Sequence, residues 1–220
     1  MPTIIKPEAE IERSGRSGLS ILRGLERYGR ACYQSEHRIT ANSAADFVRR
    51  LIRRGHFSVI EHEKVTARVV CDRGVSHEIV RHRLGSYSQE STRYCDYARG
   101  GLRVIEPLFF ARGSTKHRIW LKAMAGAEAA YQALRAAGAA PQEARLVLPH
   151  SVKTEIIVTY NLREWRHFFQ VRCAPGAHPQ IREVACLLLA RMQTYLPVIF
   201  EDFKLDRRQA VAVTNMCPSS

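Results

Sequence analysis

Two stretches of alternating residues constrain this chain more than its composition does. In residues 151–160, Val152, Thr154, Ile156, Val158 and Tyr160 fall on one side. In residues 63–71, Val65, Ala67, Val69 and Cys71 do the same, with Lys64, Thr66 and Arg68 opposite. A period of two marks a strand with one buried face. Around both lie segments of helical spacing and uneven length. Ile21, Leu22, Leu25, Tyr28 and Cys32 share one face of a helix expected over 17–35. Asn42 or Ser43 caps a helix to Arg54, which Gly55 ends. Residues 115–139, rich in Ala, Leu and Glu, read as a long helix; Gly138 and Pro141 separate it from a second one through Leu148. Asn161 caps a helix to about Arg172, and Ile181, Val184, Ala185, Leu188, Met192 and Tyr195 mark a long C-terminal one. Gly74 is expected to break the chain before a short helix over 75–83, followed by a loop at 84–91 and short strands at 92–97 and 102–105. No regular strand–helix–strand rhythm appears. The fold class is therefore α+β, with a central, mainly antiparallel sheet flanked by long helices.

At 220 residues and 45% apolar content, the chain has material for one sizeable core, so a single domain over 1–220 is expected. No apolar run approaches the roughly 20 residues that span a bilayer. The start, Met1 to Lys6, lacks the apolar stretch of a signal peptide. Cys32, Cys71, Cys95, Cys173, Cys186 and Cys217 form no Cys-x-x-Cys pair. They are expected as reduced core thiols in a cytoplasmic protein.

The net charge of +13 calls for an anionic partner, either nucleic acid or a phosphorylated small molecule. The basic run from Phe47 to Arg54 fits the solvated face of a short amphipathic helix. No nucleic-acid-binding motif is present. Tyr87, Tyr94 and Tyr97 beside basic residues would be the stacking platform of a basic nucleic-acid-binding module, which stands as the alternative class.

Residues 81–93, Arg-His-Arg-Leu-Gly-Ser-Tyr-Ser-Gln-Glu-Ser-Thr-Arg, carry the chemistry. Arginine presents a planar fork of donors suited to phosphate and carboxylate oxygens, and serine adds short hydroxyls. Gly85 is expected to permit a tight turn. By composition alone this is a solvated basic loop; its spacing says more. Arg81-His82-Arg83, seven residues, Ser91 and then Arg93 resembles the signature of the flavin-dependent thymidylate synthases. Gly55-His56-Phe57-Ser58-Val59-Ile60-Glu61-His62 resembles that family's Gly-His-x-Ser-x-x-Glu-His segment. Ala144 to Pro149 is similar to its Ala-Arg-x-Val-Leu-Pro segment, and Asn161, Arg163 and Arg172 match a further block. The four blocks stand in order over roughly residues 55–185.

The resemblance implies an enzyme that reductively methylates dUMP to dTMP. It implies 5,10-methylenetetrahydrofolate as carbon donor and FAD, reduced by NADPH, as hydride source. It also implies a sheet flanked by long helices and a homotetramer with active sites at subunit interfaces, with neither nucleic acid nor membrane as partner. Residue by residue, it sets Arg172 against the uracil carbonyl and N3, where a guanidinium stabilises developing charge. A helix C-terminal arginine complementing the dipole is the plainer alternative. Ser91, Arg93 and Arg145 match a phosphate clamp, with Glu78, Arg81, Gln89 and Glu90 near the nucleotide. His56, Ser58, Arg81, His82, Arg83, Gln89, Asn161, Arg163 and His167 match flavin-contacting positions. Ser91 has no evident Ser-His-acid partners and is assigned to binding. Cys173 follows a cation that can lower a thiol pKa, yet a structural cysteine at a helix end is the better reading.

Three departures stand out. Ser88-Gln89 replaces the family's Asn-Glu, His167 stands where Asn is frequent, and His178-Pro179 interrupts the Ala-Gln-x-Glu-Ile-Arg block. A metal site built from His56, His62, His77, His82, Glu61 and Glu78 is rejected. His77 and His82 are five apart, which on a helix puts them on different faces. A flavoprotein of the same fold acting on another pyrimidine nucleotide is the remaining alternative.

Overall fold

The computed structural model describes residues 1–12, 15–206 and 208–214. Along the chain run β1 (Thr3–Ile5), β2 (Glu8–Glu12), α1 (Gly18–Ala31), α2 (Ser43–Arg53), β3 (Lys64–Asp72), α3 (Arg73–Ile79), β4 (Gly85–Gln89) and β5 (Arg103–Ile105). They are followed by α4 (Thr115–Ala136), α5 (Pro141–Ala144), β6 (Lys153–Asn161), α6 (Leu162–Arg172), α7 (Pro179–Tyr195), α8 (Pro197–Phe200), β7 (Phe203–Asp206) and β8 (Val211–Thr214). Contacts divide the chain into two compact units. The first comprises 1–8, 69–81 and 87–157; the second comprises 9–68, 82–86 and the chain from 158 onward.

The two alternating segments form β3 and β6, at the middle of a four-stranded sheet of order β2-β3-β6-β4. The backbone bonds Leu162 N to Glu63 O and Arg73 N to Val152 O give a constant index sum, so β3 and β6 run antiparallel. Val152, Thr154, Ile156, Val158 and Tyr160 are all buried, as the alternation requires. Two smaller pairings accompany the sheet: β1 with β5, parallel, and β7 with β8, antiparallel. The fold is α+β.

Four helix starts follow the capping chemistry, whereas Asn42, expected with Ser43 as a cap, precedes α2 without a side-chain capping bond. Asn161 Oδ1 accepts from Glu164 N at 2.8 Å and so opens α6. Asp72 Oδ1 accepts from Val75 N at 2.8 Å and opens α3. Ser17 and Ser114 do the same for α1 and α4. Gly55 takes φ +72° just after α2, a conformation that favours glycine.

Several expectations are corrected. Residues 85–89 are a strand, β4, where a loop was expected, and 92–97 are turns where a strand was expected. Gly85 is needed for closeness and not for a turn. A Cβ there would lie 2.3 Å from the Tyr160 ring, so only glycine lets the strand pass. Gly74 lies inside α3 because Asp72 caps the helix two residues before it, and that helix stops at Ile79. α1 ends at Ala31, so Cys32 is exposed; Glu26 and Arg30 take the buried positions as an ion pair at 2.7 Å. The helix after Pro141 is one turn of α-helix continued by a 3-10 turn, Arg145–Val147. Among the described cysteines, Cys71, Cys173 and Cys186 are buried, Cys95 is partly so and Cys32 is not; Cys217 lies outside the described residues.

The first unit packs Leu102, Val104, Trp120, Met124 and Val152 together. In the second, α6 carries Trp165, Phe168 and Phe169 into an aromatic cluster with Tyr160, Phe200 and Phe203. Trp165 Nε1 donates to Val65 O at 2.9 Å, which satisfies its buried donor and pins α6 to β3. Among the described residues no helix is long and apolar enough to cross a membrane.

Candidate functional site

The arginine triplet follows α3 and alternates in exposure: Arg81 and Arg83 face out, and His82 is buried. In the second unit His82 meets the inner face of α6. Its Nδ1 lies 2.9 Å from Glu164 Oε1, and its Nε2 lies 3.1 Å from Arg172 Nε. An arginine Nε–H can only donate, so His82 Nε2 is the acceptor and carries no proton. The ring proton is therefore on Nδ1 and is donated to Glu164. Burial, together with the charge of Arg172 and nearby His167, holds the imidazole below its usual pKa; the bond to Glu164 opposes this. The neutral ring is the one this geometry needs.

Glu164 sits in the first turn of α6 and Arg172 in the last, each at the end whose dipole suits its charge. Glu164 is a residue the sequence analysis missed. Nothing local marks it, because its partner is 82 positions away. Sequence pattern showed only an acidic residue after an N-cap.

Two of the clefts in this unit are lined by residues of these motifs. One, of ≈520 Å³, is lined by Phe57, Leu84, Asn161, Arg163, Glu164 and His167, among others. The other, of ≈350 Å³, includes Cys32, Tyr33, His56, Ser58 and again Phe57 and Arg163. Phe57 and Arg163 belong to both, so His56 and Ser58 are brought to the same region as Asn161, Arg163 and His167. Apolar faces from Phe57 and Leu84, with guanidinium, imidazole and hydroxyl groups around them, fit a planar ring system with polar edges. Arg163 is ion-paired to Glu61, and both are well exposed, so a ligand would compete only with a solvated pair. The carbonyl oxygen of Asn161 is committed to the α6 cap.

His82, Glu164 and His167 also place one ligand atom each within 4.8 Å of one another, a grouping the sequence analysis did not weigh. A cation there would have to displace the bond at one His82 nitrogen, to Glu164 or to Arg172, and sit near the Arg172 charge.

The first unit holds the other set. Gln89 Nε2 donates to Ser76 Oγ at 2.9 Å and to Thr154 Oγ1 at 3.1 Å. Glu90 binds Lys153 Nζ at 2.6 Å and accepts from Tyr97 OH at 2.8 Å. Both side chains are spent inside the unit. Burial and the Glu90 bond raise the Tyr97 phenol well above its ordinary pKa. Ser91 Oγ accepts from Arg93 N at 3.2 Å in the turn that follows β4. The exposed Arg93 reaches Gln142 Oε1 through Nε at 3.1 Å. Gln142 lies in the short α5, and Arg145, exposed, follows as that helix's C-cap. Glu78 is half-buried near the end of α3.

Cys173, the C-cap of α6, is buried beside Cys186. The hydrogen bond to Cys186 and then burial push its thiol far above the usual range, as burial does for Cys71. Arg172 does not activate it, and Cys173 reads as a core thiol.

A family model described as thymidylate synthase complementing protein matches residues 23–198. A protein of Geobacter sulfurreducens named flavin-dependent thymidylate synthase is 35% identical over 180 residues, covering 79% of this chain and 78% of that one. A protein of the same name from Mycobacterium tuberculosis is 35% identical over 199 residues, covering 82% and 79%. Among solved structures, a UMP/dUMP methylase from Streptomyces cacaoi bound with 5-Br dUMP superposes with a TM-score of 0.72 at 26% identity. It covers 90% of this chain and 95% of that one.

Proposed function

Since the chain belongs to the thymidylate synthase complementing protein family, we propose that it is a flavin-dependent thymidylate synthase that converts dUMP to dTMP. Its carbon donor is 5,10-methylenetetrahydrofolate and its flavin is FAD, reduced by NADPH. The whole chain serves as one functional domain, in a cytoplasmic homotetramer. The observation that carries this reading is the chain from half-buried Arg172 through the buried His82 to the buried Glu164, beside a cleft lined by Arg163 and His167. It joins the arginine triplet to the Asn-x-Arg block, two motifs about 80 positions apart in sequence.

FAD, when bound and reduced, supplies the hydride. His56, Ser58, Asn161, Arg163 and His167 hold it, with Phe57 and Leu84 offering apolar surface and excluding water from the ring. Arg81 and Arg83 stand exposed on either side of His82, at the charge a reduced flavin and a nucleotide both carry. Ser91, Arg93 and Arg145 hold the nucleotide phosphate, one hydroxyl and two guanidinium forks for its oxygens. Gln89 and Glu90 brace the turn that carries Ser91, their side chains being engaged within the unit and the Glu90 N–H donating to Glu155 O. Glu78 lines the nucleotide side. Arg172 stabilises negative charge as it develops on the uracil carbonyl, so that C5 becomes nucleophilic without a thiolate on C6. The raised thiol pKa of Cys173 supports a route without cysteine.

The test is tritium release from 5-tritiated dUMP with FAD, methylenetetrahydrofolate and NADPH, with dTMP followed in parallel. Release that needs all three is expected. A preparation that cannot be reconstituted with FAD, or that methylates UMP but not dUMP, would overturn the reading.

A further inference from the structure

The geometry points to Glu164 as a positioning residue. By accepting the Nδ1 proton of His82 it sets the imidazole tautomer, and the imidazole in turn holds Arg172 by its Nε edge. The inference rests on the proposed reaction, in which Arg172 acts on the nucleotide, and deepens it.

Each link is a stated contact. Glu164 is 7% exposed, and its Oε1 lies 2.9 Å from His82 Nδ1. His82 is 6% exposed, and its Nε2 lies 3.1 Å from Arg172 Nε. A neutral imidazole has one N–H and one lone pair, and solution gives no strong preference that would fix which is which. Without an acceptor at Nδ1, the ring is free to place its proton on Nε2. Two N–H groups, from Nε2 and from Arg172 Nε, would then point at each other, and the guanidinium would have to turn away. A carboxylate at Nδ1 removes that state. Protonating His82 has the same effect as the wrong tautomer, because Nε2 loses its lone pair.

Among the titratable groups of the described residues that face His82 are Glu164, His167 and Arg172 from α6 and Tyr160 from β6; Arg81 and Arg83 flank it in sequence. Of these, Glu164 is the one that favours the charged ring through a direct bond. Arg172 and His167 disfavour it, as does burial. Two consequences follow. The neutral ring persists through mildly acid pH, so turnover should fall only as pH drops below the ordinary histidine range. Deleting the carboxylate should move that acid limb to still lower pH, while lowering the plateau.

The experiment uses the FAD-loaded enzyme. Glu164→Leu should lower kcat for dTMP formation by about 10–100-fold, the usual cost of losing a group that orients a working one. The KM for dUMP should change by less than about threefold. Glu164→Gln keeps an oxygen for the Nδ1 proton and should recover part of kcat. A purely structural role would predict neither this rescue nor the shifted acid limb. Independently of turnover, 15N shifts of histidine-labelled wild-type enzyme near pH 8 should show His82 protonated at Nδ1 and bare at Nε2, and Glu164→Leu should mix the tautomers. An Nε2–H tautomer in the wild type, or a Glu164→Leu enzyme with normal kcat and an unmoved acid limb, would overturn the inference. A wild type that makes no dTMP would instead overturn the proposed reaction, with the nitrogen shifts still judging the positioning.

Discussion

The two units carry their charged groups in opposite ways. In the first, Arg93 and Arg145 stand in solvent, while the acid and amide of the same motif are turned inward on Lys153, Tyr97, Ser76 and Thr154. In the second, buried Glu164, His82 and Arg166 are tied to half-buried partners, as in Glu164–His82–Arg172 and in the Arg166–Asp202 pair. Exposed arginines cost little to keep and are ready for an anion that brings its own charge. Buried ones must be neutralised by the protein itself, and their orientation is then fixed in advance. The first arrangement suits capture of a phosphate. The second suits a group whose direction decides whether a reaction proceeds.

The difference should be largest in stability. Arg166 is 3% exposed in its side chain and meets both oxygens of Asp202 at 2.7 Å, with Ile199 O as a third acceptor. Arg166→Ala leaves the half-buried Asp202 carboxylate without its ion-pair partner, Thr214 Oγ1 still donating to it, and should cost about 3–5 kcal/mol by urea unfolding. Arg163→Ala, one turn earlier and well exposed in its pair with Glu61, should cost about 0–1 kcal/mol and act on FAD binding instead. Equal losses for the two would erase the distinction.

Next in size is catalysis. Arg172→Ala should lower kcat for dTMP formation about 10²–10³-fold, as for a lost donor at developing charge. Arg172→Lys should fare nearly as badly, because it has neither the fork nor an Nε for His82 to accept. Cys173→Ala should retain turnover, its thiol being a raised, buried one. The reverse pattern, a silent arginine and an essential cysteine, would replace charge stabilisation with a thiolate mechanism.

How much of this was legible follows the same divide. Period-two alternation revealed β3 and β6 because each has one buried face, and Asn161 announced α6 because capping is local. The family's motifs could be read because their residues stand at fixed short spacings. β4 could not: Gly85-Ser86-Tyr87-Ser88-Gln89 has turn composition and is a strand through its pairing with β6, where Tyr160 leaves no room for a Cβ at 85. The β7–β8 hairpin and the N-terminal strands went unpredicted for a related reason. Three- to five-residue strands carry too few alternations to rise above chance. Glu164 lay hidden because its meaning depends on a residue brought to it by the fold.

A smaller effect is expected for the exposed clamp. Arg93→Ala should weaken dUMP binding by about 1.5–3 kcal/mol, the range for a hydrogen bond to a charged group, with little change in FAD affinity or thermal stability. Its bond to Gln142 is solvent-exposed and contributes little to the fold. Titration calorimetry with dUMP and a melting curve measure the two halves. A large drop in stability would mean that Arg93 belongs to the scaffold and not to the ligand.

The smallest effect tests whether surface pairs in the first unit are as weak as the comparison requires. Arg135 grips both oxygens of Asp96 at 2.8 and 3.1 Å, and Ala98 N donates to the same carboxylate at 3.0 Å. The Arg135 bond, then the Ala98 bond, hold the Asp96 pKa down to about 2. A carboxylate depressed in the folded state adds stability above its unfolded pKa of about 3.9. That contribution is lost as pH falls through the folded value. Wild type and Asp96→Asn should therefore differ slightly in melting temperature from pH 5 to 7 and converge between about pH 4 and 2. Because the pair is only half-buried and solvent still reaches it, the gap at neutral pH should also shrink in high salt. A gap as wide as that of Arg166→Ala, or one that persists at pH 2, would show that this surface pair behaves like the buried one and that exposure is the wrong axis for the comparison.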